Sequence, residues 1–152
     1  MKKIDVYGVC NPLIDLLCHI PDEFLQQWDL EKNRMYLVST DRQHSILKEL
    51  ENRSLKIEHA AGGSGANTMI GIAQLGGHSA FTGKIGFDPR GDQYRNDLED
   101  KGVKAALGAG EGMTGSSLIL VSNDGSRTMN THLGMCQELE PCLLYTSDAA
   151  DE

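Results

Sequence analysis

Apolar and polar positions change their spacing several times along the chain, and each change marks an element. Residues 4–10 are a short apolar run closed by Asn11-Pro12, which predicts a buried first strand and a turn. Residues 13–20 predict a second extended segment, interrupted by Asp15. A carboxylate inside a buried strand needs a partner or a ligand, one facing water needs neither, and spacing leaves both readings open. Pro21-Asp22 opens a short helix running to Trp28, and residues 35–38 predict a brief strand. Thr40 and Gln43 have capping-box spacing for a helix reaching Asn52, with Ile46, Leu47 and Leu50 on one stripe. Residues 55–60 return to extended chain.

The next stretch alternates strand and helix. A helix over 65–75 carries Ala66, Met69, Ile70, Ile72, Ala73 and Leu75, apolar nearly all round, which predicts burial against a sheet; Gly76-Gly77 ends it. Residues 79–82 predict a strand and 83–88 a loop. Asp88-Pro89 then caps a helix with Tyr94 and Leu98 inward and Gly102 as its stop, before a strand over 103–106. Strand, helix, strand, helix, strand over 55–106 predicts parallel βαβ units, hence an α/β fold. Ligands in such sheets sit at the carboxyl ends of strands, where the Gly62 turn falls. Asn123-Asp124-Gly125-Ser126 between extended runs 116–122 and 127–133 predicts a hairpin and a second, antiparallel element. No repeat, low-complexity tract or dividing linker interrupts the pattern.

Composition narrows the function classes. A chain of 152 residues is one domain by length, and its formal charge of −8 opposes nucleic acid or an anionic membrane as a partner. No run is long enough to span a bilayer, and Met1-Lys2-Lys3 leads into Asp5 and Gly8 rather than a signal-peptide core, which reads as cytoplasmic. Cys10, Cys18, Cys136 and Cys142 form no C-x-x-C pair, so reduced thiols are expected, with Cys10 and Cys18 packed in their apolar runs. His19, His44, His59, His78 and His132 show no metal spacing, and no metal site is expected.

Several motifs fail on inspection. A dinucleotide fingerprint starting at Gly63 would need glycine where Thr68 stands, and a phosphate loop around Gly83-Lys84 lacks its first glycine at His78 and its hydroxyl at Ile85. No G-x-S-x-G is present. Gly108-Ala109-Gly110-Glu111 lacks a helical continuation and reads as a flexible loop. What remains is Gly62-Gly63-Ser64 before an apolar helix, a turn that brings bare N–H groups to a helix N-terminus with Asn67 in its first turn. Taken alone, such a turn is also ordinary punctuation.

Over a longer span the pattern becomes specific. Gly62-Gly63-Ser64-Gly65-Ala66-Asn67, Gly76-Gly77, and Gly83-Lys84-Ile85-Gly86 with Asp88 and Gly91 together resemble the first signature of the PfkB, or ribokinase-like, carbohydrate kinases. The opening Gly8-Val9-Cys10-Asn11-Pro12-Leu13-Ile14-Asp15 resembles the adenosine kinase branch, as do Thr114-Gly115 and Arg127-Thr128-Met129-Asn130-Thr131. The resemblance covers about residues 3–141. It implies a truncated ribokinase-like doubly wound sheet with a small β-sheet lid, whose strands lie at about 13–38 and 114–133. It also implies phosphoryl transfer from ATP, with Mg2+, to a hydroxymethyl group of a small-molecule sugar or nucleoside. Asp15 would bind ribose hydroxyls, Asn11 would sit near the base or sugar, and Gly62, Gly63, Ser64 and Asn67 would hold the remaining hydroxyls. Arg127 would approach the phosphates.

The family carries a second signature near its C-terminus, a Gly-Ala-Gly-Asp turn whose aspartate is the base, and no residue of this chain takes that role. Catalytic groups and tight ATP binding are therefore expected only in a longer parent. Residues 142–152 match nothing family-like after Pro141 and read as a non-native tail. The other readings are a kinase for a free sugar or sugar acid, a non-catalytic nucleoside or sugar-binding domain, and a ligand-free interaction fragment.

Overall fold

In segment 13–19, alternate side chains turn inward, with Leu16 and Cys18 fully buried and Asp15 and Leu17 half-buried on the other face. The computed structural model, which describes residues 3–141, folds this period-two pattern as a strand. In chain order the elements are β1 (Val6–Val9), β2 (Leu13–His19), α1 (Asp22–Gln27), β3 (Met35–Leu37), α2 (Thr40–Asn52), β4 (Ile57–Gly62), α3 (Ser64–Gln74), β5 (Ser79–Gly86), α4 (Pro89–Asp100), β6 (Lys104–Gly110), β7 (Gly115–Val121) and β8 (Arg127–His132), followed by a short 3-10 turn at Gly134–Glu138. Two units emerge, neither continuous in sequence: one holds the chain up to Ile14, Ala61–Gly115 and the chain from Leu133, the other Asp15–Ala60 and Ser116–His132.

The first unit is built on a three-stranded sheet ordered β1-β5-β6, with both pairings parallel. β5 is central and buried on both faces along nearly its whole length, as a strand flanked by parallel neighbours tends to be. Phe81 and Ile85 from β5 share the core with Tyr94 and Leu98 of α4 and with Val103, all at most 2% exposed. Four expectations need correction here. β1 is an edge strand, with Val6, Tyr7 and Val9 exposed, and Cys10 is exposed as well. Segment 83–86, expected in a loop, continues β5, and Gly108–Gly110, expected as a flexible loop, continues β6 in register with it. The ladder satisfies the backbone groups of both segments, so neither needs loop chemistry. Helix α3 buries one face, Ala66, Met69 and Ile70, while Leu75 is 91% exposed.

The second unit is a five-stranded sheet ordered β3-β8-β7-β2-β4. β7 and β8 form the predicted hairpin, antiparallel from Ser116↔His132 to Val121↔Arg127, while β3 joins β8 in parallel. β4 belongs to this sheet, so the segment from residue 55 does not start a βαβ unit; β5-α4-β6 is the unit that the pattern correctly predicts. Helix α2 also begins differently. Ser39 caps it through Arg42 N, and the expected capping-box glutamine turns inward. Gln43 donates to the carbonyls of Ser116 (3.2 Å) and Asn130 (2.9 Å) and accepts from Ser116 Oγ (2.8 Å), pinning α2 to β7 and β8. Burying that amide at 4% exposure is sustainable because three hydrogen bonds satisfy it.

Candidate functional site

The turn between β4 and α3 follows from its glycines. Gly63 caps α3 at φ +92, a left-handed region that disfavours any side chain, and a Cβ there would lie 3.2 Å from the Asn11 carbonyl. Asn11 and Gly63 are therefore neighbours in the first unit. Gly83 serves the same segment from below, since a Cβ on it would fall 2.5 Å from both the Cys10 carbonyl and Pro12 Cδ. From inside the core, the fully buried Tyr94 donates its hydroxyl to the Gly62 carbonyl at 3.1 Å and holds the turn.

Above this base the first turn of α3 is open. Ser64 and Asn67 are exposed, no side chain caps the helix, and Asn67 N bonds to the Gly63 carbonyl at 3.0 Å. The preceding N–H groups of a helix have no acceptor within it, so this end presents donors and a partial positive charge to a hydroxyl or anion.

Asp15 and Arg127 belong to the second unit. Asp15 stands on β2 with its carboxylate half-buried, and burial pushes it above the ordinary carboxylate value while the positive charge of Arg127 pulls it partly back. No described residue donates a hydrogen bond to it. Arg127 opens β8 with its side chain exposed. The register Met35↔Met129 and Ile119↔Met129 sets an apolar row across β3, β8 and β7, two residues from Arg127 and thus on its face of the sheet.

In the downstream half of the signature, Asp88 caps its helix as expected and also anchors a distant segment. Asp88 accepts hydrogen bonds from Gly91 N (2.8 Å), Thr114 N (2.8 Å) and Thr114 Oγ1 (2.6 Å), and Thr114 Oγ1 in turn accepts from Gly86 N at 3.0 Å. Burial raises the Asp88 carboxyl, but the bonds from Thr114 and Gly91 outweigh that and hold it below 3.8. Gly86, Asp88 and Gly91 thus form a structural knot around Thr114. Sequence reading found only its helix-cap part; the signal for the rest was a threonine far along the chain, which spacing does not connect to Asp88. Among the described residues no group of three His, Cys, Asp or Glu could hold a metal ion. No described helix is long and apolar enough to cross a membrane.

Residues 31–150 match the family described as pfkB family carbohydrate kinase, and the chain belongs to that family. It is 29% identical over 99 residues to adenosine kinase 2 of Arabidopsis thaliana, covering 63% of this chain and 28% of that protein. It is 36% identical over 73 residues to probable fructokinase-2 of the same plant, covering 45% of this chain and 21% of that protein. Among solved structures, it superposes on adenosine kinase from Sinorhizobium meliloti with a TM-score of 0.78 at 36% identity, covering 92% of this chain and 42% of the other. The α/β, ribokinase-like fold is thereby shown. The chain spans less than half the length of each of these relatives.

Proposed function

We propose that the chain is the N-terminal, acceptor-binding portion of an ATP-dependent, adenosine kinase-like enzyme that phosphorylates a hydroxymethyl group of a nucleoside. Asp15 carries this reading: a half-buried carboxylate with no hydrogen-bond donor among the described residues suits a ligand that brings two donors of its own. Vicinal ribose hydroxyls are such a ligand, since an ionised carboxylate accepts through both oxygens. Asn11, Gly62, Gly63, Ser64 and Asn67 would receive the remaining hydroxyls at the open end of α3. The apolar row Met35, Met129 and Ile119 favours a nucleobase over a bare sugar, because a flat ring gains from apolar cover that a polyol does not need.

Arg127 would face the phosphates, where a guanidinium offsets developing charge. ATP supplies the transferred phosphoryl group and Mg2+ neutralises it in such reactions. Arg127 is the one cation assigned to this site, and no group of three His, Cys, Asp or Glu among the described residues could hold a metal ion, a poor fit to an ATP·Mg2+ cradle. No step through either group is assigned to them, and the catalytic base lies outside these 152 residues in this reading. A cytoplasmic setting and a small-molecule rather than nucleic-acid or membrane partner go with it.

Calorimetric titration of the chain with adenosine tests the proposal. Saturable binding is expected, weakened at least ~10-fold by Asp15→Ala through loss of a charged hydrogen bond, with no ATP-dependent phosphorylation by the chain alone. Absence of heat with adenosine overturns the binding site, and turnover overturns the division of labour. The second reading, a free-sugar kinase, has the fructokinase relative in its favour and predicts heat with fructose instead.

A further inference from the structure

One network in the second unit has no part in the reading above. Residues 31–34 run beside the β7–β8 turn and the first residues of β8 and bond to them at four successive positions. The Glu31 carbonyl accepts from Thr128 Oγ1 at 3.5 Å, and Lys32 Nζ donates to Asp124 Oδ2 at 2.9 Å and to Asp22 Oδ2 at 2.7 Å. Asn33 donates from Nδ2 to Ser126 Oγ at 3.2 Å and accepts at Oδ1 from the backbone N of Arg127 at 3.3 Å. The Arg34 carbonyl accepts from Met129 N at 2.8 Å.

Asn33 holds this geometry at φ +60, a conformation costly for most side chains and easiest for asparagine among residues with a Cβ. Its amide is used in both directions, once on the turn and once on the first residue of β8. A residue at the mouth of a hairpin is where a strand frays, and an arginine side chain amplifies any backbone tilt at its root. Lys32 completes the grip by tying the turn residue Asp124 to Asp22 of α1, and it draws the Asp124 carboxyl down to about 2.

We propose that Asn33, backed by Lys32, is a positioning residue that fixes Arg127 in the orientation from which its charge acts at Asp15. The proposal rests on the reading of Arg127 and Asp15 as one ligand-facing pair. It assigns a task to a loop with no chemistry of its own: holding the guanidinium still before any phosphate arrives.

The test is the titration midpoint of the Asp15 carboxyl, followed by carbon-13 NMR in the 152-residue chain without ligand. Asn33→Gly keeps the positive φ and removes only the two side-chain bonds. Arg127→Gln should raise the Asp15 midpoint because it removes a nearby positive charge, and Asn33→Gly should raise it by no more than that because it lets the same charge move away. Combining them should add nothing. If Arg127→Gln raises the midpoint and Asn33→Gly leaves it unmoved, the loop merely braces the hairpin and the proposal fails. If Arg127→Gln has no effect, the Asp15–Arg127 pairing itself is refuted, and the positioning role with it. Should Asn33→Gly lose the amide signals of β8, Lys32→Met carries the same test: a raised Asp15 midpoint supports the proposal and an unchanged one overturns it. A raised Asp124 midpoint confirms in that variant that the ion pairs are gone.

Discussion

Asp15 illustrates how far a single residue can be read. Its position in an apolar run showed that it needed a partner or water, but not which. In the fold, its strand buries Leu16 and Cys18 on one face and leaves the carboxylate half-buried on the other, with the charge of Arg127 partly compensating. Two positions 112 apart in sequence are brought into electrostatic reach by a sheet order that no local pattern encodes. A raised carboxyl value means that the folded state holds the Asp15 proton more firmly than the unfolded chain. Stability therefore falls as pH rises above 3.8, and the penalty is complete once pH has passed the folded value. Asp15→Asn should melt about 2 °C above the parent at pH 7, with the gap closing toward acid, while adenosine binding weakens at least ~10-fold. Scanning calorimetry beside the titration checks both; a variant that melts lower and still binds would mean that Asp15 is a structural residue.

Among the elements, those with a complete local signal came out as the pattern implied. The β7–β8 hairpin had Asp-Gly at its turn, and α4 had both its Asp88 cap and Pro89 in first position. Those that failed did so where a distant segment supplied the missing half of the structure. Gly108–Gly110 became strand because β5 lies beside it, and Gln43 left its capping role because buried carbonyls on β7 and β8 needed a donor. Asp88 combines both cases, being a legible cap and an illegible anchor for Thr114. Its lowered carboxyl value gives the opposite sign to Asp15: the stabilisation is present above 3.8 and disappears as pH falls through the lower, folded value. Asp88→Asn can still cap Gly91 N but opposes one donor with another at Thr114 N, and should cost roughly 1–2 kcal/mol. Urea midpoints measured at pH 6, 4 and 3 should show the two proteins converging toward acid. A constant difference across that range would assign the loss to packing rather than to the ionised carboxylate.

At the scale of the whole molecule, the informative mismatch is β1. Its apolar sequence reads as a strand covered on both sides, yet β5 is its only partner among the described residues, and Val6, Tyr7 and Val9 are 38%, 37% and 45% exposed. An open parallel edge offers unpaired N–H and C=O groups beside apolar side chains, a combination that invites pairing with another strand. The formal charge of −8 works against this by mutual repulsion, but salt screens it, with a range falling from about 30 Å at 0.01 M to about 10 Å at 0.1 M. Association should therefore strengthen with ionic strength, the reverse of a contact made by ion pairs. Sedimentation velocity at a fixed protein concentration should show the mean mass rising from low to moderate salt. Val6→Lys places a charge on the open edge without touching the buried core, so it should suppress that rise several-fold at an unchanged melting temperature. A parent chain that stays monomeric at both salt levels would show that the exposed β1 face is tolerated as it stands; a variant that associates as strongly as the parent would move the contact elsewhere, with Met35 and Leu37 at the β3 edge, 55% and 65% exposed, the next surface to charge.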